Sequence, residues 1–331
     1  MKIVLDERGR ARYREGMSTA IVLEAAGSPE RLIPQNRPTP EAGPGEEIVT
    51  LTGAGVNFID VIQRRGSYPV PPGTVLGFEG VGRTRDGRRV AFFDHLGAYA
   101  DEVAVPRAKL LALPDDISDD AALLIFQGVT AEYLTSSVHP IRAGETALIY
   151  AAAGGVGLIL SQFVRAAGGR AIGVVSTPEK VAVARDAGAE IVVGDGPELG
   201  AQIRQLAPDG VDVVFDANGA NTWPVTLESV RRRGHVVLYG YASGNIDPIA
   251  PRLLLERGSL TLSFVSIFDF IDVPLERDRR VDRLFEAIRD GKIDVPVPTR
   301  FPLAQAAEAH ALIESRKSVG KIVLVPERNG A

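Results

Sequence analysis

The sequence predicts an α/β chain: a doubly wound, parallel, six-stranded sheet beside a smaller β-rich unit that the chain visits twice. Three observations carry this. From about residue 145, short apolar runs recur at 147–151, 171–175, 191–193, 211–215, 235–239 and 260–265, with helix-length segments between most of them. Strands alternating with helices pair in parallel. From Met17 to about residue 130 the rhythm differs, with short alternating stretches such as Glu47-Ile48-Val49-Thr50-Leu51 and Arg89-Val90-Ala91-Phe92-Phe93 broken by proline and glycine. That is the spacing of a small barrel-like unit. After a helix expected at 280–289, Lys321-Ile322-Val323-Leu324-Val325 reads as a strand returning to the first unit and making it discontinuous.

Length agrees with two domains, since 331 residues exceed the ~250–300 at which a single core stops growing. The boundaries expected are an N-terminal extension at 1–16, a first domain at 17–130 and 273–331, and a second at 131–272. With 35 glycines and 22 prolines against 45% hydrophobic residues, the chain is rich in turns rather than disordered. A formal charge of −5 argues against a nucleic-acid partner, and Arg231-Arg232-Arg233 reads as a solvated helix end. Cysteine is absent, which removes disulfides, thiolate catalysis and thiolate metal sites together. A cytoplasmic location is expected. Residues 1–16 are charged and lack the apolar stretch of a secretory signal, and Met17 reads as a second start. Residues 146–164 carry no charge, but the small-residue turn in their middle argues against a membrane span.

That turn is the most informative stretch. Ala147-Leu148-Ile149-Tyr150-Ala151-Ala152-Ala153-Gly154-Gly155-Val156-Gly157-Leu158 closes a strand and opens a helix. In that context Ala152-x-Gly154-x-x-Gly157 is a variant of the dinucleotide fingerprint, with alanine at the first glycine position. Six strands match the Rossmann form of the fold. The middle glycine admits the pyrophosphate, the last lets helix and strand pack, and the free amides of Gly154, Gly155, Val156 and Gly157 hold the anion at the positive helix end. NAD sites place a carboxylate at the end of the next strand. Here Val175 is followed by Ser176, Thr177 and Lys180, which suit a 2′-phosphate, so NADPH is the expected cofactor. Thr177-Pro178-Glu179 also reads as a plain helix cap.

With these residues in view, the chain resembles the zinc-independent, zeta-crystallin-like quinone oxidoreductases of the medium-chain dehydrogenase/reductase superfamily. The resemblance runs from Met17 to Pro326 and rests on Gly55-Val56-Asn57-Phe58-Ile59-Asp60, Arg65-Gly66-Ser67-Tyr68-Pro69, Leu76-Gly77-Phe78-Glu79-Gly80-Val81-Gly82, Gln127-Gly128-Val129-Thr130-Ala131, the 151–157 turn, and Arg231-Arg232-Arg233-Gly234 before Tyr239-Gly240. It implies a GroES-like barrel for the first unit. Zinc-dependent relatives use a cysteine near the Asn57 position and a histidine where Phe78 stands. His95, His139, His235 and His310 read as scattered singly, so no metal is expected. The resemblance further implies that Asn57 and Thr130 line the nicotinamide end, that Asn218, Tyr239, Gly240, Phe264, Val265 and Ser266 contact the cofactor, and that Arg316 supplies a basic group towards it. Three positions depart from the pattern: Asp195 replaces a tyrosine near the 2′-phosphate, Ile62 a pocket tyrosine, and Gln127 a lysine of some members.

Hydride transfer needs no protein nucleophile. Negative charge develops on the acceptor oxygen, and a neutral donor would stabilise it; Tyr68 is the first candidate and Asn57 the second. Three functions remain open: reduction of a quinone or similar conjugated carbonyl, reduction of an enone or enoyl thioester, and cofactor binding without turnover. The resemblance implies a homodimer joined through 260–265.

Overall fold

The computed structural model describes residues 16–194, 196 and 198–327. By backbone contacts the chain divides into two units, one made of 1–125 and 297–331, the other of 126–296. The second crossing therefore falls at 296/297 rather than 272/273. Helix Pro274–Arg289, longer at its start than the expected 280–289, belongs with the second unit. Its Leu284 lies over Gly128, where a Cβ would stand 2.4 Å from the leucine methyl, and its Arg280 pairs with buried Glu132 at 2.6 Å.

The second unit holds the parallel sheet. Its strands, Thr146–Ile149, Arg170–Val175, Ala189–Val193, Val211–Asp216, Val230–Leu238 and Thr261–Phe264, lie in the spatial order third, second, first, fourth, fifth, sixth, and every pairing is parallel. Strands covered on both faces read as unbroken apolar runs, which is why Leu148, Ile172, Val214 and Val236 share one core. The order reverses between the first strand and the fourth, where Ile149 stands beside Phe215. Ligands of such sheets bind at that point, beyond the carboxyl ends of the strands. The arginine run is not a helix end. It lies inside strand Val230–Leu238, with Arg231 paired to Asp212 at 2.6 Å and Arg233 in a left-handed bend at φ 59°.

In the first unit, strand Glu46–Val56 is central. It pairs antiparallel with Glu79–Thr84, with Glu102–Pro106 and with the returning Ile322–Val325, so the expected return of the chain is observed. Seven strands form this sheet, and Met17–Leu23 with Leu32–Pro38 form a separate antiparallel pair. Their shared core includes Ile21, Leu51, Leu76, Phe92 and Leu324. Among the described residues no helix is long and apolar enough to cross a membrane; 146–164 is split into a strand, a turn and helix Gly155–Ala166.

Candidate functional site

The turn after strand Thr146–Ile149 is held by its own backbone. Ala151 takes φ 52°, a left-handed conformation that is costly for a residue with a Cβ. Ala152 N donates to Val174 O at 3.0 Å, Gly154 N to Ala151 O at 2.8 Å, and Leu158 N to Gly154 O at 3.0 Å. The last of these opens helix Gly155–Ala166, so the amides of Gly155, Val156 and Gly157 head the helix without intrahelical carbonyls to bond. No acidic side chain stands in this first turn, and the helix end is left positive.

Each small residue here has its own reason. A Cβ at Gly157 would meet Ala151 O at 2.3 Å and Ala152 Cα at 2.7 Å, so this glycine lets helix and turn touch. A Cβ at Gly154 would meet only Ala151 O, at 3.1 Å; this position is open on its outer side. Gly155 faces buried Gln127, whose Cγ would lie 3.1 Å from a Cβ there. Ala152, at the first glycine position of the pattern, packs its methyl against Gly173, which must lack a Cβ because one there would stand 2.7 Å away. Thr130, one turn beyond Gln127 in helix Ile125–Tyr133, is buried and donates to Phe126 O at 2.7 Å.

Because all six strands run the same way, the other expected cofactor residues of this unit gather along one edge. Ser176 and Thr177 follow Arg170–Val175 directly. Thr177 stands before the short turn Pro178–Lys180 without a capping bond from its side chain; its hydroxyl bonds Glu179 instead and holds that carboxyl below the usual range. Lys180 is buried, opening helix Val181–Asp186. Asp216, ending the fourth strand, accepts from the Asn218 and Gly219 amides at 2.7 and 3.1 Å and from the Thr222 and Thr226 hydroxyls. It thereby shapes the loop carrying Asn218, whose carbonyl accepts from the Ser243 amide and hydroxyl. Tyr239 N donates to Asp216 O at 3.0 Å, and burial pushes the Tyr239 hydroxyl up. Gly240 passes so close to Ala217 O that a Cβ would stand 2.8 Å away. Val265 N donates to Leu238 O at 2.9 Å, while Phe264 and Ser266 are exposed.

In the first unit Asn57 caps helix Phe58–Arg65 in a reciprocal box with Asp60, and Gly66 closes it at φ 86°. Asn57 is buried at 4% exposure and Tyr68 is open at 56%. They stand beyond opposite ends of an eight-residue helix, about 12 Å of axial rise apart, so the two acceptor-side candidates are not neighbours. Asn57 belongs instead to a buried polar cluster. Lys321 Nζ donates to its Oδ1 at 3.2 Å and forms an ion pair with Glu79, and Asn57 Nδ2 faces Glu79 Oε2 at 3.3 Å. Burial lowers the Lys321 ammonium and raises the Asp60 carboxyl to about 7. Arg316 is exposed at φ 61° between helix Ala306–Glu314 and the last strand.

Sequence reasoning passed over Asp216, Asp60, Glu79 and Lys321. The box Asn57-x-x-Asp60 was a legible signal for Asp60, and a carboxylate closing an apolar strand was one for Asp216. Asp195 lies outside the described residues. Two of the histidines are not isolated: His139 and His235 meet with their Nδ1 atoms 3.1 Å apart, and burial pushes His235 down to about 4. Among the described residues no group of three histidine, aspartate or glutamate side chains could hold a metal ion, and the buried Phe78 offers no ligand atom.

A family of proteins described as zinc-binding dehydrogenases matches residues 187–324. The quinone oxidoreductase of Pseudomonas aeruginosa is 36% identical over 94% of this chain and the whole of its own length. A 2-haloacrylate reductase from a Burkholderia species is 35% identical with the same coverage. A mycobacterial protein solved in complex with NADPH superposes with a TM-score of 0.89 at 37% identity, covering 93% of this chain and all of that one. With more than a third of its residues shared along the whole of a curated relative, the chain belongs to the quinone oxidoreductases of the medium-chain dehydrogenase/reductase superfamily.

Proposed function

We propose that this chain reduces a quinone with hydride from NADPH and without a metal ion. The observation that carries the reading is the 151–157 cradle. It presents helix-heading amides beside Gly154, where a Cβ would meet nothing but Ala151 O within 4 Å, open space that a diphosphate would occupy. Similarity to a quinone oxidoreductase and to a protein complexed with NADPH supports both halves of the reading.

NADPH, when bound, supplies the hydride. The chain's own part is to bind, orient and keep the reaction dry. The amides of Gly155, Val156 and Gly157 would hold the pyrophosphate, since that of Gly154 is not free as the sequence suggests but bonded to Ala151 O, and Ser176 and Lys180 would hold the 2′-phosphate. Asn218, Gly240 and Val265, brought to one strand edge, would carry the nicotinamide end. Holding two reactants in line can account for ~7–11 kcal/mol of barrier, so positioning suffices as the main contribution. Tyr68, exposed, is the proposed donor to the acceptor oxygen; both amide hydrogens of Asn57 point inward, to Glu79 Oε2 and Gly55 O, which leaves Asn57 to shape the site.

A second reading, reduction of a conjugated carbon–carbon double bond, is favoured by the 2-haloacrylate reductase relative. Loss of reduced-nicotinamide absorbance with a quinone panel, a 2-enone and a 2-haloacrylate separates the two. Quinone-dependent oxidation is expected; turnover of the alkene acceptors alone would overturn the first reading. We further propose a cytoplasmic homodimer formed by strand Thr261–Phe264, which closes the sheet order and carries Phe264 at 59% exposure. Light scattering tests the dimer, and a monomer at micromolar concentration would rule it out.

A further inference from the structure

Asp216 ends strand Val211–Asp216 with no exposed surface, beside the point where the sheet order reverses. A carboxyl group buried there is costly unless donors surround it, and four do. The Asn218 and Gly219 amides donate to Oδ1 at 2.7 and 3.1 Å, and the Thr226 hydroxyl donates to Oδ2 at 2.9 Å. The Thr222 hydroxyl lies 2.9 Å from Oδ1 and 2.7 Å from Oδ2. All four follow Asp216 in the chain, the farthest by 10 positions, so the carboxyl group organises the loop that leaves its own strand. A side chain that accepts from the amide two residues on fixes a turn. Here the turn also needs Gly219, at φ 84°, where a Cβ would stand 2.4 Å from Gly244 O.

That contact shows what the turn supports. The loop after the fifth strand hangs on it: Ala242 N donates to Ala217 O at 3.0 Å, Ser243 N to Asn218 O at 2.8 Å, and Ala220 N to Gly244 O at 3.0 Å. The Ser243 hydroxyl donates to Asn218 O at 2.7 Å and accepts from Asn221 N at 3.0 Å. Tyr239 N donates to the backbone carbonyl of Asp216 itself, at 3.0 Å. Two loops, one with Asn218 and one with Tyr239 and Gly240, are thus tied together above a single carboxyl group. The 151–157 turn is held otherwise, through Ala152 N to Val174 O and Gly154 N to Ala151 O.

We propose that Asp216 is a positioning residue. It sets Asn218 and Gly240 against the nicotinamide half of the cofactor and so governs where the ring stands for hydride transfer, while the phosphate end binds without its help. The inference rests on the reading in which Asn218 and Gly240 carry the nicotinamide end. Asp216→Asn keeps an oxygen for the two amides, and its NH2 meets the Thr222 and Thr226 hydroxyls, which can turn and accept. Asp216→Ala leaves all four donors unmet. Thr222→Val removes only the hydroxyl shared by the two carboxyl oxygens and keeps the side-chain shape.

The test compares these three variants with wild type. Adenosine 2′,5′-bisphosphate, which has no nicotinamide, should bind all of them as it binds wild type, measured by calorimetry. With saturating protein, the fluorescence anisotropy of NADPH should fall in Asp216→Ala, because the ring is no longer held. Its kcat with a quinone should fall about a hundredfold, the effect of misplacing a reacting group by about 1 Å. Asp216→Asn should stay close to wild type in all three measurements. Thr222→Val should lie between Asn and Ala, and it carries the test should Asp216→Ala not fold. Wild-type kcat and anisotropy in Asp216→Ala, or in Thr222→Val where that variant stands in, overturn the proposal. So does an Asp216→Asn enzyme as slow as Asp216→Ala, or a loss of bisphosphate affinity equal to that of NADPH. A wild type that turns over no quinone refutes the quinone reading, and anisotropy with bisphosphate binding then decides for or against Asp216.

Discussion

Two glycines only three residues apart should fail in opposite ways when each is replaced by alanine. At Gly157 the new methyl would lie 2.3 Å from Ala151 O and 2.7 Å from Ala152 Cα, about 1 Å inside ordinary contact. The obstacles are backbone atoms of a turn already bent to φ 52° at Ala151, so no side-chain rotation relieves them. The helix must move off the strand, at an overpacking cost of roughly 1–3 kcal/mol. At Gly154 the backbone is extended, with φ −83° and ψ 173°, which alanine adopts freely, and the nearest atom is 3.1 Å away. The fold should be indifferent. On the proposed cradle the methyl would stand where a diphosphate oxygen approaches, and loss of one charge-assisted bond of ~1.5–3 kcal/mol would weaken NADPH binding by about tenfold to hundredfold. Thermal melting without cofactor and a fluorescence titration with NADPH read the two effects separately. Gly157→Ala should melt earlier. Gly154→Ala should melt with wild type and bind poorly. A Gly154→Ala protein that binds NADPH within twofold of wild type would refute the assignment of this turn as the phosphate cradle.

The other predictions concern charge. Glu79→Gln should destabilise the chain by about 3–5 kcal/mol, because it strands the buried Lys321 ammonium; urea denaturation measures this, and the double change Glu79→Leu with Lys321→Met should cost less than the single one. The Asp60 carboxyl is raised by burial from 3.8 to about 7, so the folded state binds its proton more tightly than the unfolded chain does. Stability from this group is complete below about pH 4 and is lost as the pH rises to about 7, by roughly 4 kcal/mol at most. Asp60→Asn should therefore gain on wild type between those values in pH-dependent melts, and parallel curves would contradict the assignment. Replacing Ser176 and Lys180 together by alanine should lower the preference for NADPH over NADH about tenfold or more, read as the ratio of the two dissociation constants; an unchanged ratio would move 2′-phosphate recognition elsewhere.

The parallel sheet and the small-residue turn at its centre were legible because both are written in short range. Apolar runs of a few residues separated by helix-length segments imply parallel pairing whatever else surrounds them, and the spacing of Ala152, Gly154 and Gly157 needs only the strand before it and the helix after. The returning strand at 322–325 was legible for the same reason. Local rules failed at Arg231-Arg232-Arg233, where a charged run that looks like a solvated helix end lies inside strand Val230–Leu238, in the irregular stretch between the paired Val230 and His235. They failed again for His139 and His235, which stand 96 positions apart and meet in space.

By itself, then, the sequence determined the alternation that builds the dinucleotide-binding sheet and the bare turn at its centre, since both follow from what a strand end and a helix start require of a few consecutive residues. Tertiary structure alone decided the company Asn57 keeps. Glu79 and Lys321 reach it from separate elements, Lys321 across 264 positions, Tyr99 and His310 extend the chain of bonds through Asp60, and only their burial together turns ordinary side chains into a single hydrogen-bonded unit.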